Sequence, residues 1–114
     1  MHELGIIFNI IKAVEEVGEE NSLTSVASVT LEIGQVSGIV PQFLEDCWKW
    51  AAEKSELCKD SKLLIEQIEA VTYCEACGKT YPTMEYAKIC PYCKSDHTYL
   101  LTGNEVNIKE IEAV

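Results

Sequence analysis

Four cysteines arranged as two pairs, Cys74-x-x-Cys77 and Cys90-x-x-Cys93 with twelve residues between them, constrain this chain more than any other feature. A two-residue gap lets both sulfurs of one pair reach a single ion. Gly78, directly after Cys77, supplies a residue free to take the positive φ that such a turn often needs. Four thiolates around one ion form the tetrahedral donor set of a structural zinc ribbon, closed to substrate. The same S₄ set suits iron, so spacing alone leaves a rubredoxin-like iron electron carrier open beside zinc. A thioredoxin-like redox motif needs one such pair at a strand-to-helix junction, and two pairs in an aromatic-rich segment do not match it.

Disulfides are the other use of cysteine, and compartment decides between the two. The start Met1-His2-Glu3 shows no basic n-region or small-residue cleavage site, so the chain reads as cytoplasmic, with its thiols reduced. The longest apolar run, 6–11, is interrupted by Asn9 and too short to span a bilayer, so no membrane role is expected. Nineteen carboxylates face nine lysines and no arginine, for a net charge of −10. A phosphate-backbone binder needs clustered Lys and Arg, so nucleic acid is not an expected partner either. An acidic chain suits a basic partner or a metal cation.

The rest of the 114 residues reads as an α+β body. Residues 3–18 carry Leu4, Ile7, Phe8, Ile11 and Val14 at helical spacing, with Ile6, Ile10 and Val17 widening the stripe and Gly18 marking the end. Residues 28–33 alternate with Val29, Leu31 and Ile33 inward, a half-buried strand. A turn from Gly34 to Gly38 leads to Pro41, which opens a second helix over 41–58. Residues 62–70 and 105–111 read as two further strands, the last returning to the first sheet. Between them, from Val71, periodicity fades and large aliphatics thin out, as in a module stapled by metal. The fold class is therefore α+β: a small three-stranded sheet with two helices, plus an inserted zinc-ribbon module. The domains are 1–70 with 104–114, and 71–103. No internal repeat is visible.

Several residues outside the two pairs carry chemistry of their own. Cys47 and Cys58 sit among Leu44, Trp48 and Ala51 and read as buried free thiols. Trp48 and Trp50 fall on different helix faces and cannot both be core. His97, four residues after Cys93, reads as a surface histidine or as one that hydrogen-bonds a cysteine sulfur or exchanges with a ligand as pH changes near neutrality. At the N-terminus, the Met1 amine, the His2 amide nitrogen and the His2 imidazole can close adjacent chelate rings, with the Glu3 backbone nitrogen as a fourth donor. Deprotonated amide nitrogens favour the square-planar field that Ni(II) and Cu(II) prefer. No motif marks a nucleophile with its base, a glycine-rich phosphate loop or a paired-carboxylate site, so an enzyme is not expected.

Met1-His2-Glu3, the segment Gly34-Gln35-Val36-Ser37-Gly38-Ile39-Val40-Pro41 and the pairs Cys74/Cys77 and Cys90/Cys93, in this order, resemble the HypA/HybF hydrogenase maturation proteins. The resemblance covers essentially the whole chain. It implies a nickel metallochaperone with nickel at His2, beside the Met1 amine and the Glu3 backbone, and zinc on the four cysteines. It also implies Ni(II) as transient cargo and Zn(II) as a structural ion. The expected partners are the HypB GTPase and the [NiFe]-hydrogenase large subunit, with urease served by related members, and the chain is expected as a monomer or weak homodimer. This sequence departs from relatives that carry histidines beside both pairs, having only His97, with Lys79 and Lys88 nearer the other cysteines. Gln35 stands where an acidic residue is common. A zinc-ribbon protein-interaction adaptor is the alternative function from another class.

Overall fold

The computed structural model describes residues 3–114, so the expected nickel ligands Met1 and His2 lie outside the described residues. Elements run α1 (Glu3–Glu20), β1 (Val26–Gly34), α2 (Pro41–Ala51), β2 (Lys62–Ile68), β3 (Val71–Cys74), β4 (Thr80–Pro82), α3 (Thr83–Tyr86), β5 (Thr98–Thr102) and β6 (Val106–Ala113). They divide into two compact units. Of the described residues, the first comprises 3–32, Ile39–Glu66 and Asn107–Val114, and the second Ile33–Gly38 with Gln67–Val106.

The first unit is built around a sheet of order β2-β1-β6. Its central strand β1 alternates as the sequence predicts, with Val29, Leu31 and Ile33 fully buried. The edge strands carry charged residues at exposed positions, Lys62 and Glu66 on β2 and Lys109, Glu110 and Glu112 on β6. Lys109 of β6 meets Glu66 of β2 at 2.7 Å, a pair whose side chains are both half-exposed.

Helix α1 corrects the expected stripe. Ile7, Ile10, Ile11, Val14 and Gly18 are buried, whereas Leu4 and Phe8 are 39% and 42% exposed. The buried face is thus rotated away from Leu4 and Phe8 toward Ile10. Gly18 does not end the helix, which continues to Glu20. A Cβ at that position would lie 2.5 Å from Leu57 Cδ2, so this glycine serves packing rather than termination.

Helix α2 starts where Pro41 predicts but is shorter than expected. It closes at Ala51 into a 3₁₀ turn, Ala52–Lys54, and does not reach Cys58. Ser55 is the cause: its backbone is extended at φ −108°, and its hydroxyl donates to Glu15 at 2.8 Å and accepts from the Cys58 amide at 3.3 Å. A serine offering local partners competes with the helical ladder. Cys58 is buried as expected, while Cys47 is only partly covered. Trp48 is buried at 3% and Trp50 exposed at 52%, consistent with their opposed faces.

The second unit is a sheet of order β4-β3-β5. Tyr73 pairs with Thr80 on one side and Tyr99 on the other, both antiparallel, with a bulge between Val71 and Thr72 in the β3–β5 ladder. These three strands and the single-turn α3 were not predicted. They are three to five residues long, and their core consists of Cys74, Tyr81 and Cys90 rather than alternating aliphatics. The Gly34–Gly38 turn joins this unit through hydrogen bonds. The Gly34 amide donates to Glu105 O at 2.8 Å and the Val36 amide to Gly103 O at 2.8 Å, while Gln35 Oε1 accepts from the Ala70 amide at 2.9 Å. Gln35 therefore does structural work as a neutral acceptor.

Candidate metal centre

Each cysteine pair is carried on the same backbone turn. In the first, the Gly78 amide donates to Cys74 O at 2.8 Å, and the Cys74 amide donates to Lys79 O at 2.9 Å. In the second, the Lys94 amide donates to Cys90 O at 2.9 Å, and the Cys90 amide donates to Ser95 O at 3.0 Å. The offsets from the first cysteine are identical. Gly78 and Lys94 take φ +76° and +64°. The expected positive φ at Gly78 is present. Its counterpart Lys94 was not foreseen, and superposing Cys74–Lys79 on Cys90–Ser95 by their first cysteines is the signal that finds it. Although the sequence shows no repeat, the backbone does.

The two turns face each other. Cys74 Sγ lies 3.5 Å from Cys93 Sγ, Cys77 Sγ lies 3.7 Å from Cys90 Sγ, and all four sulfurs fall within 4.8 Å of one another. A tetrahedral ion with metal–sulfur bonds of about 2.3 Å spaces its ligands about 3.8 Å apart along each edge. The donor set therefore fits one tetrahedral ion. Cys74 and Cys90 are buried and Cys77 and Cys93 exposed, so each turn contributes one sulfur from the core and one from the surface.

Neighbouring groups hold the arrangement. Tyr81 is buried against Cys74 and Cys90, and its hydroxyl donates to Ala87 O at 2.8 Å. The Lys79 ammonium sits 4.7 Å above the Tyr92 ring, linking the two turns, and the Glu75 amide donates to His97 O at 2.9 Å. His97 thus serves through its backbone, while its imidazole is largely exposed, with Nε2 3.8 Å from Asp96 Oδ1. Among the described residues, the group able to hold a metal consists of the four cysteines. Glu3 stands at the first position of α1.

Cys77, Cys90 and Cys93 are shifted from the ordinary thiol range in different directions. Burial pushes Cys90 up, but the amides of Cys93 and Tyr92 together with the Cys77 and Cys93 side chains outweigh it and bring the thiol down to about 7. At Cys93 the Ser95 amide pulls down, but burial and the other three thiols prevail and push it up to about 12. Cys77 is also raised: the Lys79 amide lowers it, and burial with Cys90 and Cys74 more than offsets that. Clustered thiols resist collective ionisation unless a cation compensates the charge.

The family model described as hydrogenase/urease nickel incorporation, metallochaperone HypA, matches residues 1–113. A hydrogenase maturation factor HypA of Chlorobium phaeobacteroides (strain BS1) is 35% identical over 111 residues, covering 97% of both chains. Its counterpart in Chlorobaculum parvum is 32% identical with the same coverage. In fold, the chain is similar to the solution structure of the Ni metallochaperone HypA from Helicobacter pylori. That match has a TM-score of 0.76 and 24% identity, covering 100% of this chain and 98% of that one.

Proposed function

This chain belongs to the HypA family of hydrogenase and urease nickel-incorporation metallochaperones, and from that premise we propose that it carries Ni(II) as cargo at its N-terminus for [NiFe]-hydrogenase maturation. The observation that carries the proposal is the family match over residues 1–113. The proposed donors are the Met1 amine, the amide and imidazole nitrogens of His2, and the Glu3 backbone nitrogen. A chain-end site suits a carrier, because few packed atoms cage the ion and an acceptor can displace donors one at a time. Its imidazole and amine must be deprotonated to bind, so affinity falls as pH falls.

In this reading the four cysteines hold Zn(II), which supplies fold stability and leaves no open position for chemistry. Residues 1–70 with 104–114 form the nickel-carrying domain and 71–103 the zinc domain. Delivery runs in the cytoplasm to the hydrogenase large subunit with the HypB GTPase, and to urease where that enzyme is the acceptor. No covalent step is required of the chain itself.

The test is a nickel titration of zinc-loaded protein with an untagged N-terminus, beside His2→Ala. One nickel per chain, lost in the variant while zinc is retained, supports two separate sites. Equal nickel binding in both overturns the terminal site and moves attention to His97 and the cysteines. No nickel binding in either leaves the adaptor reading in place.

A further inference from the structure

Edge strands present unpaired backbone groups, and proteins protect them with charges, proline or brevity. The four edges described here differ in that respect. β2 carries Lys62 and Glu66, β6 carries Lys109, Glu110 and Glu112, and the three-residue β4 ends in Pro82. β5, Thr98-Tyr99-Leu100-Leu101-Thr102, has no charge and no proline. Its middle residues Tyr99, Leu100 and Leu101 are 49%, 38% and 47% exposed. Its ends are fastened, with Thr98 Oγ1 donating to Lys88 O at 2.8 Å and Thr102 Oγ1 to Glu69 O at 2.9 Å. The strand is thus tied at both ends, with half-exposed apolar side chains between them.

Beside it, within the same unit, lies a groove of about 310 Å³ lined by Val36, Ala87, Tyr99 and Leu100 among others. Lys88 is the only charged residue lining it. We propose that the β5 edge and this groove form a docking site for an extended segment of a partner polypeptide, which adds to the β4-β3-β5 sheet as a fourth strand. Backbone hydrogen bonds along Thr98–Thr102 supply affinity and alternate side chains supply selectivity, as in other β-augmentation sites. The segment places an apolar side chain in the groove and a carboxylate against Lys88. A five-residue edge with one small groove is a smaller footprint than the roughly 800 Å² per partner of a standard folded interface, which favours a strand over a globular face. A second copy pairing edge to edge through its own β5 offers no carboxylate for Lys88.

The test uses full-length, metal-loaded, ¹⁵N-labelled protein at 150 mM salt. The probe is a blocked seven-residue peptide of threonine and valine containing one leucine and one glutamate, compared with the same peptide carrying lysine in place of glutamate. The expected result is slowed amide exchange and shift changes along Thr98–Thr102 and at Lys88, with the glutamate peptide binding at least fivefold tighter. Lys88→Glu, an exposed substitution that leaves the core intact, should reverse that preference. Leu100→Lys should weaken both peptides at least tenfold while the metal stays bound. Shift changes elsewhere, or none with either peptide, overturn the site. So does concentration-dependent protection of β5 without peptide, accompanied by a dimer in sedimentation, because a second copy then occupies the edge.

Discussion

Gly78 and Lys94 occupy the same position in two successive cysteine turns, each donating its amide to the carbonyl of the first cysteine, at 2.8 and 2.9 Å. Both are left-handed, at φ +76° and +64°, yet only one is glycine. A side chain in this region costs about 1–2 kcal/mol. Lys94→Gly should therefore stabilise the metal-loaded chain, by up to about 1 kcal/mol after the added unfolded-state entropy of glycine. Gly78→Ala should destabilise it by about 1 kcal/mol, for conformational reasons alone, since a Cβ there meets nothing nearer than the Tyr73 hydroxyl at 3.8 Å. Urea unfolding of both variants measures the pair, and equal effects of the same sign would contradict the equivalence.

Gly34 poses a harder constraint. A Cβ at this position would collide with the backbone of Gly103 and lie 2.5 Å from the Asn104 amide nitrogen. Backbone cannot swing aside as the Leu57 side chain can near Gly18. Gly34→Ala should cost about 3 kcal/mol, the upper range for overpacking. Gly18→Ala should cost far less, because alanine's better helix propensity offsets a small movement of Leu57. Thermal unfolding of the two variants should show a large drop for the first and a small shift for the second.

The thiol ionisation sets the pH response of the metal centre. Metal binding requires four thiolates, so the raised Cys77 and Cys93 must release protons on binding throughout pH 6–8. Below about 7 Cys90 takes up a proton as well and must lose it. Affinity therefore falls as pH falls, by about a hundredfold or more per pH unit when two or more protons are displaced. Competition against a chromophoric chelator across this range reads the slope directly. A slope under tenfold per unit would mean the thiols are already ionised without metal.

The two tryptophans should separate cleanly. Trp48 is buried with its indole nitrogen 3.4 Å from Ser61 O, so Trp48→Ala should cost about 3–5 kcal/mol. Trp50 is half-exposed, packed edge-on to Phe8 at 6.0 Å and covered by Lys54 at 4.4 Å, so its removal should cost about 1 kcal/mol. Iodide should quench the fluorescence of Trp48→Phe, which retains Trp50, much more than that of Trp50→Phe.

What the sequence determined by itself was whatever depends on neighbours along the chain. Two CxxC spacings force paired sulfurs, Pro41 starts a helix, and the alternation of Val29, Leu31 and Ile33 specifies which side of β1 is buried. Those features need only local geometry. The rest depended on partners distant in sequence. Helix α1 has apolar residues nearly all round, so its own pattern admits several buried faces. The packed structure selects Ile10 and Gly18 over Leu4 and Phe8. The end of α2 is decided by Ser55 finding Glu15, forty positions away. The short strands β3–β5 carry no legible alternation because cysteines and one tyrosine replace an aliphatic core. Only the pairing of those strands brings Cys74 to Cys93 and Cys77 to Cys90, and only the turn it closes forces Lys94 into a glycine's conformation.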